Sequence, residues 1–587
     1  MFKIDNSKGT QSRLLISDQV FKNLVPDDSL LSQIDREYDF SVVDEAVKDL
    51  YCPDNGRPPV PPSILFKASV VQCMKRYSDV EMEYQAAMNI EIKDFLGIDL
   101  DKPGFDHSTL SVFRKRLGPE RFNQLFKNFL LQLKEKDLGI DFGTQNIDSI
   151  PIAANAAMPS TTALIYQSLK RLMKQLKKKN NSVYNELLDI CELTEEKLEN
   201  YSKARPLFKL EDKERIAALV KSVKRSRIII ERCRELDDPD IADEVEMLET
   251  ILEQNVEDER EVKEREDKPT RPIKSRVDPD AKLGHKDDGN TVFGYKGNIT
   301  AIKEGIITGV TISTMADRDD SQLVPLVEEQ ESVGLKAEKL NGDSAYGFIQ
   351  DFVDMQERDI ELNAPMRGSK EQDEISMYDF KYDEERDVLI CPMGMEGKRV
   401  GSKMKFEFPI RKCRCCPKAD VCVPGNRSRR FTLDENYELV MKLRQNRAER
   451  KERNKERLRI ETLLAFLEKL GIKKARYRGV NRVGIQLYIT AITSNLVKTV
   501  RLKIRKEKKK IEEANKRVGK HVQNFVGSTK SFFKSFFLSV YGCFHFLATF
   551  SKHSITKNSL FLRNKGIKLV IEYPYLGFVN CCIILII

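Results

Sequence analysis

The chain has 587 residues, 33% of them charged and 40% hydrophobic, with a formal net charge of +9. That length is too great for one hydrophobic core and predicts two to four domains, and the modest charge permits a polyanionic partner without requiring one. The opening Met-Phe-Lys-Ile-Asp-Asn-Ser-Lys lacks an apolar signal core, and no uninterrupted apolar run reaches the roughly 18 residues of a membrane span, so an exported or membrane-spanning chain is not expected.

Residues 1 to about 140 read as helical, with Leu30, Ile34 and Tyr38 at helix spacing. The run Asn55-Gly-Arg-Pro-Pro-Val-Pro-Pro62 breaks that pattern, and Ser63 is placed to cap an apolar helix from Ile64 to Met74. Asp106-His-Ser-Thr-Leu-Ser-Val-Phe-Arg-Lys-Arg116 has cap residues followed by a basic helix carrying Arg114, Lys115 and Arg116. Taken by pattern alone this is an amphipathic helix with a solvated basic face; a recognition helix for DNA is the alternative.

Asn146-Ile-Asp-Ser-Ile-Pro-Ile-Ala-Ala154 predicts a short buried strand with one carboxylate, Asp148. A lone charge there is costly unless it is paired or binds a metal. Residues 161–272 follow as a helical hairpin or bundle. Ile165, Leu169, Leu172 and Leu176, and again Ile241, Val245, Leu248 and Leu252, step at the seam spacing of paired helices. A solvated spacer, a dimer contact and a DNA clamp all fit it. Strands then return: Val292 to Ile302 and Gly305 to Ser313 form a β-hairpin turning at Lys303-Glu304, Asp319 to Glu329 a helix, and Ala337 to Asn341 a strand leading to Asp343.

Cysteines are spread unevenly through a signal-less chain that has twelve of them, which predicts a reducing, cytoplasmic compartment. Within 371–435, Cys391, Cys413, Cys416 and Cys422 form C-x21-C-x2-C-x5-C, with Cys415 beside them. Close thiolates point to a structural Zn²⁺, with iron–sulfur ligation or free thiols as alternatives. Residues 441 to 459 are crowded with Lys and Arg, Arg453 and Arg457 among them, and lead into Glu461 on a helix of Arg457 to Lys469. Such charge beside a carboxylate suits a phosphodiester backbone; the bland reading is a solvated helix with Arg457 and Glu461 as an i, i+4 pair. Lys296, Arg476 and Arg478 add further positive charge. The apolar stretches Phe532 to Tyr541 and Tyr573 to Ile587 have no functional reading.

Two strand aspartates and a helix glutamate can converge on hard divalent cations, but such residues also recur by chance. The surroundings decide. Asp148-Ser-Ile-Pro-Ile-Ala-Ala-Asn155, Asp278-Pro-Asp-Ala281 with Gly294-Tyr-Lys-Gly297, Gly342-Asp-Ser-Ala-Tyr-Gly347, and Arg457 to Glu461 followed by Arg476-Tyr-Arg-Gly479 stand in the order found in the DDE transposases of bacterial insertion sequences, which the chain resembles over most of its length.

The resemblance implies an α/β fold: a ribonuclease-H-like mixed sheet flanked by helices. It divides the chain into an all-α DNA-binding domain at 1–140, a first catalytic strand at 141–160, a helical insertion at 161–272 and the core at 273–370. A Cys-rich module at 371–435, a catalytic helix and the end of the core at 436–500, and a basic segment with an apolar tail at 501–587 complete it. Mapped by motif, Asp148, Asp343 and Glu461 hold two Mg²⁺, with Mn²⁺ as a substitute. The implied reaction is strand cleavage and strand transfer on double-stranded DNA, at terminal inverted repeats and target DNA. Expected DNA contacts are Arg114, Lys115, Arg116, Lys296, Arg453, Arg457, Arg476 and Arg478. A homodimer joining two ends, in the bacterial cytoplasm at the nucleoid, completes the expectation. The family signature Y-x-x-R-x-x-x-E-x-x-x-x-x-x-K is met at Arg457 and Glu461, but Asn454 holds the tyrosine position and Glu468 the lysine position, with Lys469 one residue late. Glu456 and Glu468 are rivals for the third acid. A metal nuclease without strand transfer and a non-catalytic DNA-binding relative are the alternatives.

Overall fold

The computed structural model describes residues 15–51, 59–136, 138–200, 212–257, 262–264, 271–287, 289–367, 379–401, 404–422, 429–433, 436–445, 457–547, 559–564 and 567–572. The chain forms two units, residues 1–504 and 505–587.

The N-terminal region is helical, as its periodicity predicts, and its helices have readable ends. Ser78 and Glu81 form a reciprocal capping box at the start of helix Asp79–Met88. Gly97 closes helix Ile90–Leu96 in the left-handed conformation, at φ 78°. Asp106 caps helix His107–Lys134 through Ser108 N at 2.8 Å, and that helix kinks at Gly118. Ser63 is not a cap: the helix begins at Pro62, and the Ser63 backbone N–H donates to Asp44 at 2.9 Å. Proline, which has no N–H to lose at a helix start, takes the position instead.

These helices do not stand apart from the sheet. Phe66, Phe113 and Phe129 share one core with Ile150, Ile152 and Tyr295 of the sheet and with Leu487 and Ile492 of the helix that starts at Val480. The Tyr38 hydroxyl reaches Thr499 at 2.7 Å across that core.

The sheet has six strands: β1 (Thr144–Ala153), β2 (Lys282–Asp287), β3 (Asn290–Ile302), β4 (Ile307–Thr314), β5 (Lys339–Asn341) and β6 (Glu361–Asn363). Its order is β4-β3-β1-β5-β6, with β2 pairing the start of β3. β1 runs antiparallel to β3 and parallel to β5, and β5 is parallel to β6. An antiparallel hairpin, a first strand in the middle and two parallel strands beyond it make the ribonuclease-H-like arrangement. Helices Leu323–Glu331 and Ile349–Glu357 make the crossovers that parallel strands need. Alternate β1 residues serve two cores: Ile150 and Ile152 face the N-terminal helices, and Ile147 packs with Leu326 and Leu340.

The insertion folds on its own core. Ile165, Leu169, Leu172 and Leu176 of helix Thr161–Lys179 pack with Ile241, Val245 and Leu248 of helix Pro239–Asn255, as the seam spacing predicts. The Cys-rich region is a five-stranded antiparallel sheet of strands three or four residues long around Phe380, Leu389, Phe406 and Phe408. The second unit holds the later part of helix Val480–Leu547 and a hairpin, Ser559–Asn564 with Ile567–Glu572. Side chains of Phe532 to Tyr541, and all of Tyr573 to Ile587, lie outside the described residues. Among the described residues no helix is long and apolar enough to cross a membrane.

Candidate active site

Sheet register brings the two strand acids together. Asn146 of β1 pairs with Asn341 of β5, and Asn341 with Asn363 of β6. Their buried side chains form a ladder: Asn341 donates to Asn146 at 3.1 Å and Asn363 to Asn341 at 3.0 Å. A one-residue slip would turn each side chain to the other face, so this ladder fixes the pairing. Asp148 and Asp343 each follow a ladder asparagine by two residues and so leave the same face of the sheet.

Asp148 is mostly buried. Loss of water, with Asp343 and Asp319 close by, pushes its carboxyl up to about 6, against the opposing pull of the Ser149 N–H and Arg457. Its Oδ1 accepts from Ser149 N at 2.8 Å, and the Arg457 guanidinium lies 3.2 Å from its Oδ2. Asp343 caps the turn Ser344–Tyr346 by accepting from Ala345 N at 2.8 Å. The loop beyond is pressed onto the loop that follows β6: a Cβ on Gly347 would sit 1.9 Å from the Pro365 carbonyl oxygen, so only glycine fits.

A third aspartate, Asp319, was not singled out by sequence. It accepts from Ser149 Oγ at 3.2 Å and from Lys296 Nζ at 2.5 Å. Its only signal was the acidic run Asp317-Arg-Asp-Asp320 after β4, which reads as a polar turn. Tyr346, in the turn after Asp343, is fully buried, and its hydroxyl has no hydrogen-bond partner among the described residues. Burial and the charges of Asp319, Asp148, Asp343 and Asp320 push that phenol far up.

Glu461 is in the first turn of helix Leu458–Lys469 and is exposed. It does not pair with Arg457 one turn earlier, because that guanidinium goes to Asp148. Its rival Glu468 is paired with Lys473 at 3.5 Å, and Glu456 lies outside the described residues. Asp148, Asp343 and Glu461 do not have their oxygens all within 4.8 Å of one another. Among the described residues the group that meets that spacing is Glu83, Asp106 and His107, where His107 Nδ1 is 2.7 Å from Glu83 and its pKa is raised by that bond. This is an ionic cap on helix His107–Lys134. For hard cations, then, Asp148 and Asp343 fit by donor type and proximity, and Glu461 fits by donor type and freedom from any cationic partner among the described residues.

The basic residues divide. Arg114 is buried, ion-paired with Asp79 and 5.2 Å from the Tyr477 ring, so in this structure its guanidinium is engaged within the protein. Lys115 and Arg116 are exposed on the same helix, with Arg116 4.5 Å from the Tyr51 ring. Lys296 is mostly buried and neutralised by Asp319, so it supports the acid cluster and does not face solvent. Arg476 donates to the Tyr77 carbonyl at 2.9 Å, and exposed Arg478 to the Asn155 carbonyl at 3.0 Å. Arg453 lies outside the described residues.

The motif stretches also bind one another. Buried Asp278 accepts from the Tyr295 hydroxyl at 2.5 Å and from Gly479 N at 3.0 Å, and Asp280 accepts from Val480 N at 3.0 Å. Two carboxylates thus hold the N-terminus of the helix that starts at Val480, where backbone N–H groups lack helical partners.

In the Cys-rich module, Cys391, Cys413, Cys416 and Cys422 lie around one cavity and act on one another electrostatically, which with burial raises the Cys413 and Cys422 thiols. Met395 N donates to Cys391 Sγ at 3.2 Å. No three of the sulfurs lie within 4.8 Å of one another, whereas tetrahedral zinc at Zn–S of about 2.3 Å would draw them to roughly 3.8 Å. Cys415 is exposed. Four thiols around one cavity fit a thiolate metal by donor type.

The strand order, with aspartates on β1 and beyond β5, is consistent with a ribonuclease-H-like DDE domain. Residues 19–116 match the family model "Transposase domain (DUF772)", and residues 390–500 match "Transposase DDE domain". The first spans the helices up to Arg116; the second takes in the four cysteines, Arg457, Glu461 and Arg476 to Gly479, while Asp148 and Asp343 lie outside both. The two matches support a DDE transposase of an insertion element. No curated protein and no solved structure matches it.

Proposed function

We propose that this transposase performs divalent-cation-dependent strand cleavage and strand transfer at the ends of its element, using Asp148, Asp343 and Glu461. The observation that supports this most is the placing of Asp148 and Asp343 side by side on one sheet face by the asparagine ladder. Two hard cations such as Mg²⁺ would supply polarisation of the phosphate and an ionised water or 3′-hydroxyl. The chain's part is to hold them and orient DNA. Asp148 and Asp343 offer oxygens from a rigid sheet, and Glu461 approaches from the helix. Arg457, now on Asp148, has donors suited to phosphate oxygens. Lys115, Arg116 and Arg478, all exposed, are the remaining expected backbone contacts.

The DNA partner on this reading is double-stranded: the terminal inverted repeats and the target. Joining two ends calls for a homodimer, and the setting is the bacterial cytoplasm. Cys391, Cys413, Cys416 and Cys422 hold a structural Zn²⁺ that closes the small sheet. Asp148→Asn should bind element ends and fail to cut them; cutting at the wild-type rate removes Asp148 from the mechanism. Pre-cut ends offered a supercoiled target separate strand transfer from simple nuclease action.

A further inference from the structure

We infer that Tyr346 is a positioning residue whose hydroxyl holds the Asp148 carboxylate once a divalent cation occupies the acid cluster. This rests on the reading of Asp148 as a cation ligand. Tyr346 is 1% exposed, and its ring packs with Ile147, Leu340 and Phe352. Its hydroxyl is buried without a hydrogen-bond partner among the described residues. Such groups are nearly always satisfied, and an orphan asks for an explanation.

The neighbours supply one. Four aspartates, Asp319, Asp148, Asp343 and Asp320, are close enough for their charges to act on the phenol. A donor and several acceptors therefore share one cluster with no bond between them. The nearby carboxylates already have other donors: Asp148 has Ser149 N and Arg457, Asp319 has Ser149 Oγ and Lys296, Asp343 has Ala345 N, and Asp320 has Arg318. The turn that carries Tyr346 is itself fixed, by the Asp343 cap and by the contact of Gly347 with Pro365.

A cation held by Asp148 Oδ2 would take the place of Arg457 there and leave the carboxylate without that donor. Ligating carboxylates generally keep a hydrogen bond from an outer partner that fixes their orientation. Tyr346 is the neutral donor at hand, since a phenol donates without adding charge to the site.

Tyr346→Phe in the full chain tests this. Mn²⁺ affinity is read from the free-ion electron paramagnetic resonance signal, and thermal melting is followed with and without Mn²⁺. The variant should melt no lower than wild type without Mn²⁺, because it loses only an unbonded hydroxyl. It should bind Mn²⁺ about tenfold more weakly, or worse, and show a smaller cation-induced rise in melting temperature. Equal affinity overturns the inference, as does a lower melting temperature in the absence of Mn²⁺, which would mean the hydroxyl is already bonded. Asp148→Asn serves as the control: if it binds Mn²⁺ as wild type does, the cation reading of Asp148 fails by itself, before Tyr346 is in question.

Discussion

The Arg457 guanidinium lies 3.2 Å from the Asp148 carboxylate, across 309 residues of sequence. Both side chains are mostly buried, at 23% and 18% exposure, so the contact is worth more than a surface ion pair. Arg457 favours the ionised form of Asp148, but burial and the neighbouring aspartates outweigh it and raise the carboxyl. Arg457→Ala should therefore move the Asp148 carboxyl above its present value of about 6. Carboxyl carbon NMR on the two proteins measures this; an unchanged titration would mean that the pair is not formed in solution.

Asp148 also sets a pH dependence of stability. Its carboxyl stands at about 6 in the folded chain, against an ordinary 3.8, and Asp351 is raised in the same way. Between those values the folded chain keeps protons that the unfolded chain has released, so stability falls as pH rises through about 4 to 6. The cost of the buried charge is complete above about pH 6 and absent below about pH 4. Asp148→Asn removes it, and should stabilise the protein at pH 7 by about 1–3 kcal/mol while being near neutral at pH 4. Urea melts at the two values check this, and a loss of stability at pH 7 would contradict it.

Tyr295 and Asp278 tie the sheet to the helix that starts at Val480. Tyr295→Phe leaves the buried Asp278 with Gly479 N as its remaining partner, since its Oδ2 already has none. A hydrogen bond to a charged group contributes about 1.5–3 kcal/mol, and a destabilisation of that size is expected in denaturant melts. The loop Arg476 to Gly479 should loosen as well, seen as faster amide exchange. A variant as stable as wild type would show the bond to be dispensable.

The four-cysteine cavity predicts one Zn²⁺ per chain in protein purified without chelator, by elemental analysis. Cys413→Ser should release it and expose residues 379–433 to proteolysis, because strands of three and four residues have little else to hold them. Metal-free protein with an unchanged proteolytic pattern would leave the cysteines as free thiols.

Much of this was legible in the sequence, unevenly. β1, the β3–β4 hairpin and helix Leu458–Lys469 follow from alternation and helix spacing, and the seam of the insertion follows from its leucines. Strand β6 and the five-stranded Cys-rich sheet did not, since three residues are too few to show a period. Arg114 reads as a DNA contact because its charge is visible in sequence, whereas its pairing with the half-buried Asp79 is not. Asp319 was missed for the complementary reason: it becomes part of the acid cluster only through Ser149 and Lys296, on strands far away in the chain. Glu461 was read as a motif residue, and in this structure it stands apart from the two aspartates.

Strand joining is the most direct test of the central claim. Pre-cut element ends and a supercoiled target plasmid are incubated with the full chain and Mg²⁺, and joined products are counted for wild type, Asp148→Asn, Asp343→Asn and Glu461→Gln. Joined products from wild type alone, with end binding retained in every variant, are the predicted result. Joining by Asp148→Asn or Asp343→Asn at the wild-type level would contradict the account.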